Sequence, residues 1–144
     1  MGGRSGRPAF QPHIVILIDT SAWIEFLRDT GSPTCNRVDR VLGGEIATCD
    51  AVRMEVLSGA RDEQHLQSLR RLLARAVTIP IEPADYDEAA ALYRLCRREG
   101  KTVRRMMDCL IAAVAIRADA AVLHNDSDFD TLARHAGLRV DLHR

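Results

Sequence analysis

Two aspartates follow short apolar stretches of this sequence in the same way. Asp19 comes directly after Ile14–Ile18, and Asp126 follows Ala120–His124 with one residue between. Each apolar run predicts a buried strand. The carboxyl ends of parallel strands are where open α/β sheets bind their ligands, which makes both acids candidates for one site. A turn or helix N-cap role explains either acid equally well when it is taken alone.

Two further acids lie on predicted helices. Glu55 lies one turn after Val52 and beside Val56, so it falls on or near the buried face of a helix. A carboxylate there is costly unless it is paired, hydrogen-bonded or bound to a metal, although a slight rotation would place it at the solvent rim. Asp108 falls in the first turn of a later helix, where the helix dipole by itself favours an acid.

The four acids together indicate a divalent cation. Carboxylates that are brought close together repel one another and resist ionising unless a cation neutralises them. Oxygen ligands without Cys or His at ligand spacing select a hard ion, Mg²⁺ or Mn²⁺, over zinc. Such an ion keeps bound water and suits phosphodiester cleavage, with one ion or two. Asp128 competes with Asp126 for the fourth position, because both lie in one acidic run.

A basic stretch leads into Asp108. Within twelve residues that contain a single acid, Glu99, there are six cations: Arg94, Arg97, Arg98, Lys101, Arg104 and Arg105. Arg97 and Arg98 suit a helix C-terminus. Arg104 and Arg105 precede Asp108 closely and are expected at the rim of the acidic pocket, where they would let an anionic backbone approach.

The pattern of elements predicts one α/β domain with a mainly parallel sheet and helices on both faces. Residues 1–13 carry no apolar segment, and we interpret them as a disordered lead, an upstream start or a remnant of expression, which leaves 14–144 as the domain. Thr20 or Ser21 is expected to cap the first helix, with Trp23, Ile24 and Leu27 facing inward. The predicted helices are Ala22–Arg28, Thr34–Leu42, Asp50–Ser58, Asp62–Arg75, Ala84–Arg98, Arg105–Arg117 and Asp128–Ala136. The predicted strands after the first are Glu45–Thr48, Val77–Ile81, Ala120–His124 and Leu138–Leu142.

Composition narrows the class of protein further. A hydrophobic share of 47% beside a charged share of 28% is that of a globular protein, and no apolar run reaches the ~20 residues of a membrane span. The four cysteines are scattered and are expected to be reduced thiols of a cytoplasmic protein. The formal net charge of zero favours no class of partner. His124, at the end of a strand, is expected to be hydrogen-bonded rather than catalytic.

Four motifs in this order resemble the PIN-domain ribonucleases of the VapC type, the toxins of bacterial VapBC toxin–antitoxin pairs. They are ILIDTSAWIEFL, RMEVLSGA, GKTVRRMMDCLIAAVAIR and AVLHNDSDFDTLA. The resemblance covers nearly the whole chain from Val15 onward. It implies an acidic set of Asp19, Glu55, Asp108 and Asp126, with Asp19 and Asp108 as the foremost metal ligands.

The resemblance also implies an activity and partners. These are Mg²⁺-dependent cleavage of structured RNA such as tRNA or ribosomal RNA, a VapB antitoxin that blocks the site, and a homodimer. Thr20 or Ser21 would support the acidic site, while Arg104, Arg105 and Lys101 would contact RNA. Asp128 remains an alternative to Asp126.

Other classes fit the residues less well. A flap-endonuclease-like enzyme needs DNA-binding segments for which this chain has no room, and a haloacid-dehalogenase phosphatase needs an acid where Ser21 stands. A response-regulator receiver needs a late lysine, but the single lysine is Lys101. A catalytically silent PIN-like module that binds RNA or protein is the remaining alternative, and the intact set of four acids argues against it.

Overall fold

The computed structural model describes residues 14–141, so the predicted lead and the last three residues lie outside the described part. The strands are β1 (Ile16–Ile18), β2 (Ile46–Thr48), β3 (Val77–Thr78) and β4 (Ala121–Leu123). The helices are α1 (Thr20–Leu27), α2 (Pro33–Val41), α3 (Asp50–Leu57), α4 (Glu63–Leu73), α5 (Pro83–Arg98), α6 (Met106–Arg117) and α7 (Ser127–Ala136). Each predicted helix is therefore present within about two residues of its expected bounds.

The sheet is parallel throughout, with the strand order β3-β2-β1-β4. From β1 the chain steps to β2 and β3 on one side and then returns across the sheet to β4. Because parallel crossovers are right-handed, the helices before β3 lie on one face and α5 and α6 on the other. The predicted fold class, an α/β domain with a parallel sheet, is confirmed. The strand order reverses between β1 and β4, and parallel α/β folds form their ligand crevice beyond the carboxyl ends of such strands.

The core lies between the sheet and both helical layers. Leu17 and Ile18 of β1 and Val122 and Leu123 of β4 are fully buried, as strands covered on both faces must be. All four cysteines are free and buried, which confirms that they serve as packing thiols. Burial raises the pKa of the Cys109 thiol to about 12. Within residues 14–141 no helix is both long and apolar enough to span a bilayer.

Several local expectations are wrong. The predicted strand Leu138–Leu142 is reduced to one parallel bridge between Val140 and Val122, and Leu142 is outside the described part. Asp19, rather than Thr20 or Ser21, caps α1, because its carboxylate accepts the Ser21 N–H.

The expected inward faces of two helices also differ. Of the residues expected to face inward on α1, Trp23 is fully buried while Ile24 and Leu27 are 37% and 42% exposed. Helix α6 has no narrow apolar stripe. All residues from Asp108 to Ala115 are buried, because α6 is enclosed by the sheet, α5 and α7.

A partly buried ion pair joins α6 to α5. Asp85, in the first turn of α5, is 3% exposed and accepts hydrogen bonds of 2.9 and 3.0 Å from the Arg117 guanidinium at the end of α6. The guanidinium holds the pKa of the Asp85 carboxyl below its usual range. The Glu82 N–H is the second donor, at 2.8 Å. This contact joins the start of α5 to the end of α6, so the opposite ends of the two helices also lie together.

We expect Arg117→Ala to lower the free energy of unfolding by about 1–3 kcal/mol, because Asp85 then keeps a buried charge with a single backbone donor. Urea unfolding followed by circular dichroism measures the loss. Arg75→Ala, which removes an exposed arginine, is the matched control and should change stability by less than about 0.5 kcal/mol. Equal stability of the two variants would show that the pair does not fix the helices.

Candidate active site

The site is built on the adjoining ends of β1 and β4. The Asp19 N–H donates to the Leu123 carbonyl at 2.9 Å, which keeps the two strand ends together. Asp19 Oδ2 accepts from the Ser21 N–H at 2.9 Å and from its hydroxyl at 2.6 Å. The same hydroxyl accepts the Asn125 N–H at 2.8 Å. Ser21 therefore orients the first acid and also ties it to the loop after β4.

Glu55 reaches the same crevice from α3. Its side chain is 19% exposed and accepts a hydrogen bond of 2.8 Å from the Thr20 hydroxyl. Its second oxygen forms an ion pair with the Arg105 guanidinium. The two hydroxyl residues predicted as support thus divide the task, since Ser21 holds Asp19 and Thr20 holds Glu55.

Asp108 is the most deeply buried acid of the set. It lies in the first turn of α6, is 1% exposed, and its Oδ2 has no hydrogen-bond donor among the described residues. Burial, followed by the negative charges of Asp19 and Asp126, raises the pKa of this carboxyl from 3.8 to about 7. Burial also raises the pKa of Asp19, against the opposing effect of its hydrogen bonds to Ser21.

Asp126 and Asp128 both enter the site. Ligand atoms of Asp108, Asp126 and Asp128 lie within 4.8 Å of one another. Asp126 Oδ1 caps α7 by accepting the Asp128 N–H at 3.0 Å. Arg104 contacts both acids: its guanidinium donates to Asp126 Oδ1 at 2.8 Å, and its backbone N–H donates to Asp128 Oδ2 at 3.1 Å.

Arg104 and Arg105, the two arginines at the rim of the pocket, therefore form ion pairs with the acids directly. Arg104 is 68% exposed and Arg105 50% exposed, but each guanidinium is paired with carboxylates of the site. Sequence reasoning placed these arginines near the pocket and missed the pairing. Residues 22 and 24 positions apart carry no sequence signal that they will meet. Lys101 is exposed in the preceding loop.

His124 has a structural environment, as expected. Its ring is 6% exposed and lies 5.2 Å from the ring of Phe129. Its Nδ1 accepts the Asp126 N–H at 3.1 Å. The histidine thereby helps to fix the backbone that carries Asp126.

The donor set fits a hard divalent ion. Neighbouring oxygens bound to one Mg²⁺ at about 2.0–2.1 Å lie about 3 Å apart, so the Asp108, Asp126 and Asp128 oxygens, which lie within 4.8 Å of one another, would need to close by up to about 2 Å to share one ion. The buried, unpartnered Asp108 Oδ2 is a costly atom that metal coordination would satisfy. The described part of the site contributes no thiolate and, apart from the hydrogen-bonded His124, no imidazole, which argues against zinc.

Comparison with known proteins agrees with this geometry. The family model for the PIN domain matches residues 16–135. VapC ribonuclease Mb1587 of Mycobacterium bovis and ribonuclease VapC11 of Mycobacterium tuberculosis are each 46% identical to this chain over 130 residues, covering 88% of it and 97% of the relative. The crystal structure of VapBC2 from Rickettsia felis, bound to a DNA fragment from its promoter, contains a chain with the same fold. The TM-score is 0.71 at 18% identity, with 89% of this chain and 98% of the other covered. This chain belongs to the PIN-domain family, in its VapC ribonuclease group.

Proposed function

We propose that this chain is an endoribonuclease toxin whose acidic crevice holds Mg²⁺ and cleaves structured RNA. The observation that carries the proposal is the buried, unpartnered oxygen of Asp108 beside the carboxylates of Asp19, Asp126 and Asp128, because a bound cation would satisfy that oxygen and neutralise the ionised group. A bound divalent ion would supply a hydroxide nucleophile and neutralise charge on the scissile phosphate. Mn²⁺ would serve as an alternative hard ion.

Asp19, Glu55, Asp108 and Asp126 form the proposed acidic set. Asp19 and Asp108 are the principal ligands, since one is oriented by Ser21 and the other is buried without a donor. Asp126 is the better fourth acid, because its Oδ2 accepts no hydrogen bond within residues 14–141. Asp128 instead accepts the backbone N–H and the Nε–H of Arg104, so we assign it first to holding the loop before α6 and second to the metal.

RNA would enter across the rim formed by Arg104, Arg105 and Lys101. Each arginine can exchange a carboxylate oxygen for a phosphate oxygen, because guanidinium groups bind both in the same planar geometry. The family resemblance points to tRNA or ribosomal RNA as the substrate. We propose that the protein works in the cytoplasm. Cysteines stay reduced there, and the four cysteines of this chain are free thiols.

A VapB antitoxin is the proposed partner. The Rickettsia felis structure is of a VapBC pair, and the curated relatives belong to the VapC group. An antitoxin cation could replace Arg105 at Glu55 or Arg104 at Asp126, since the arginine of each pair is exposed. We also propose a homodimer, as expected from the family.

Asp19→Asn and Asp108→Asn should each lower RNA cleavage in Mg²⁺ by at least about 100-fold while leaving the protein folded. Asn is itself a good N-cap, so the first variant retains the start of α1. Cleavage of bulk tRNA, followed on denaturing gels beside circular dichroism spectra, measures both properties. Asp87→Asn, at an exposed acid of α5, is the control. Wild-type rates in both site variants would favour a silent RNA-binding module.

The pKa of Asp108 predicts an unusual dependence of stability on pH. Its folded value of about 7 lies above the ordinary aspartate value of 3.8, so the folded state binds the extra proton between these values. Without metal, stability should therefore fall as pH rises from about 4 to about 7. Asp108→Asn should remove this loss and stabilise the metal-free protein at pH 8 by at most about 4 kcal/mol.

Thermal denaturation in EDTA at pH 4 and pH 8 tests this effect. Mg²⁺ at pH 8 should stabilise the wild type and leave Asp108→Asn nearly unchanged. If the variant is no more stable than the wild type at pH 8, the ionised Asp108 carboxylate does not destabilise the folded protein.

A double-mutant cycle tests whether Asp128 binds the metal directly or acts through Arg104. If Asp128 acts through Arg104, Asp128→Asn and Arg104→Ala should be non-additive in Mn²⁺ affinity by about 1 kcal/mol. Asp126→Asn should weaken Mn²⁺ binding by more than about tenfold as a single change. Isothermal titration of Mn²⁺ into the metal-free protein gives these affinities. Additive losses for Arg104 and Asp128 would make Asp128 an independent ligand.

A further inference from the structure

Three arginines near the end of α5 form an exposed cationic surface. Arg94, Arg97 and Arg98 stand at positions i, i+3 and i+4 of the helix, so they share one side of it. All three are exposed, and none forms an ion pair with another described residue. We call Arg94, Arg97 and Arg98 the α5 arginine surface. The Arg97 guanidinium lies 5.5 Å from the centre of the Tyr93 ring, which steadies it on the helix.

Topology places this surface at the edge of the sheet that carries the acids. The end of α6 leads into β4, so the start of α6, with Asp108, lies at the carboxyl edge. The Asp85–Arg117 contact joins the other ends of α5 and α6, so the end of α5 also lies at the carboxyl edge. Gly100, with φ of 83°, and the bond from Lys101 N–H to Cys96 carbonyl turn the chain toward the rim. Five residues separate Arg98 from Arg104, so their Cα atoms are at most about 22 Å apart.

The helix dipole does not account for the whole surface. Arg97 and Arg98 lie in the last turn of α5, where a cation is favoured, but Arg94 lies before that turn. Like charges three and four residues apart destabilise a helix. An anionic partner would remove that repulsion. Arg104 and Arg105 already pair with carboxylates, whereas the α5 arginine surface leaves its charge available.

We infer that the α5 arginine surface binds the sugar-phosphate backbone of the RNA that flanks the cleavage site. The inference rests on the proposed ribonuclease function, and it assigns to these three residues a part in holding substrate. Three exposed guanidinium groups on one side of a helix, continuous in sequence with the rim of the acidic crevice, match a run of phosphates and carry no base readout. The surface therefore contributes affinity and orientation for many RNA sequences.

The test compares two triple variants of the full chain. Arg94→Gln with Arg97→Gln and Arg98→Gln removes the surface and retains helix-forming side chains. The matched control is Arg70→Gln with Arg71→Gln and Arg75→Gln, at the end of α4. These three arginines are also exposed at a helix C-terminus. However, α4 ends where β3 begins, so they lie at the amino ends of the strands, away from the acids.

Binding is measured by fluorescence anisotropy with a labelled 20-nucleotide RNA hairpin in EDTA, where cleavage cannot occur. The α5 variant should bind about tenfold more weakly at low salt, and the slope of log K against log salt should fall by about 0.7–0.9 for each phosphate that the variant no longer neutralises. The α4 control should match the wild type. In Mg²⁺, the α5 variant should show a raised KM for bulk tRNA with kcat within about twofold.

Unchanged affinity and salt slope in the α5 variant would overturn the inference, as would an equal loss in the α4 control. A change in oligomeric state of the α5 variant by light scattering, with RNA binding retained, would assign the surface to protein contacts instead. The binding arm does not depend on catalysis. A wild-type protein that binds RNA through this surface but does not cleave it would refute the proposed nuclease while leaving the binding surface in place.

Discussion

Electrostatic crowding at the carboxyl edge of the sheet is the constraint on which the site depends. Five carboxylates, Asp19, Glu55, Asp108, Asp126 and Asp128, reach the carboxyl ends of β1 and β4, where the strand order of the parallel sheet reverses. Burial and mutual repulsion oppose the ionised form of the innermost acid and raise its pKa to about 7. The fold tolerates this because its stability is supplied elsewhere, by a core that covers both faces of the sheet.

Hydrogen bonds from neighbouring side chains fix the positions of these crowded carboxylates. Ser21 holds Asp19 and the Asn125 backbone, Thr20 holds Glu55, and His124 holds the backbone of Asp126. Thr20 and Ser21 lie in the first turn of α1, which follows β1 closely, and His124 directly follows β4. The acids are therefore positioned by the rigid part of the fold, which is the requirement for binding an ion with a strict geometry.

The arginines of the basic stretch divide into two groups in space. Arg104 and Arg105 neutralise part of the acidic set, so the metal-free crevice is less negative than its carboxylates alone would make it. The cations of α5 face outward and keep their charge available. An anionic substrate would thus meet positive charge before it meets the acids. Any partner that supplies its own cation to Glu55 or Asp126 competes with a side chain of this chain.

The sequence by itself determined the order and type of the elements, because apolar periodicity, glycine stops and strand-ending acids are local properties. It also brought Asp19, Glu55, Asp108 and Asp126 into one hypothesis, supported by the motifs that they occupy. The depth of burial all round α6 and the single bridge at Val140 were decided by tertiary packing, since neither depends on neighbours in sequence. The pairing of Arg104 with Asp126 and Asp128, and of Arg105 with Glu55, was likewise decided only by the fold. Periodicity reports which side of a helix is apolar, but ion pairs between distant segments depend on where the loop before α6 crosses the strand ends.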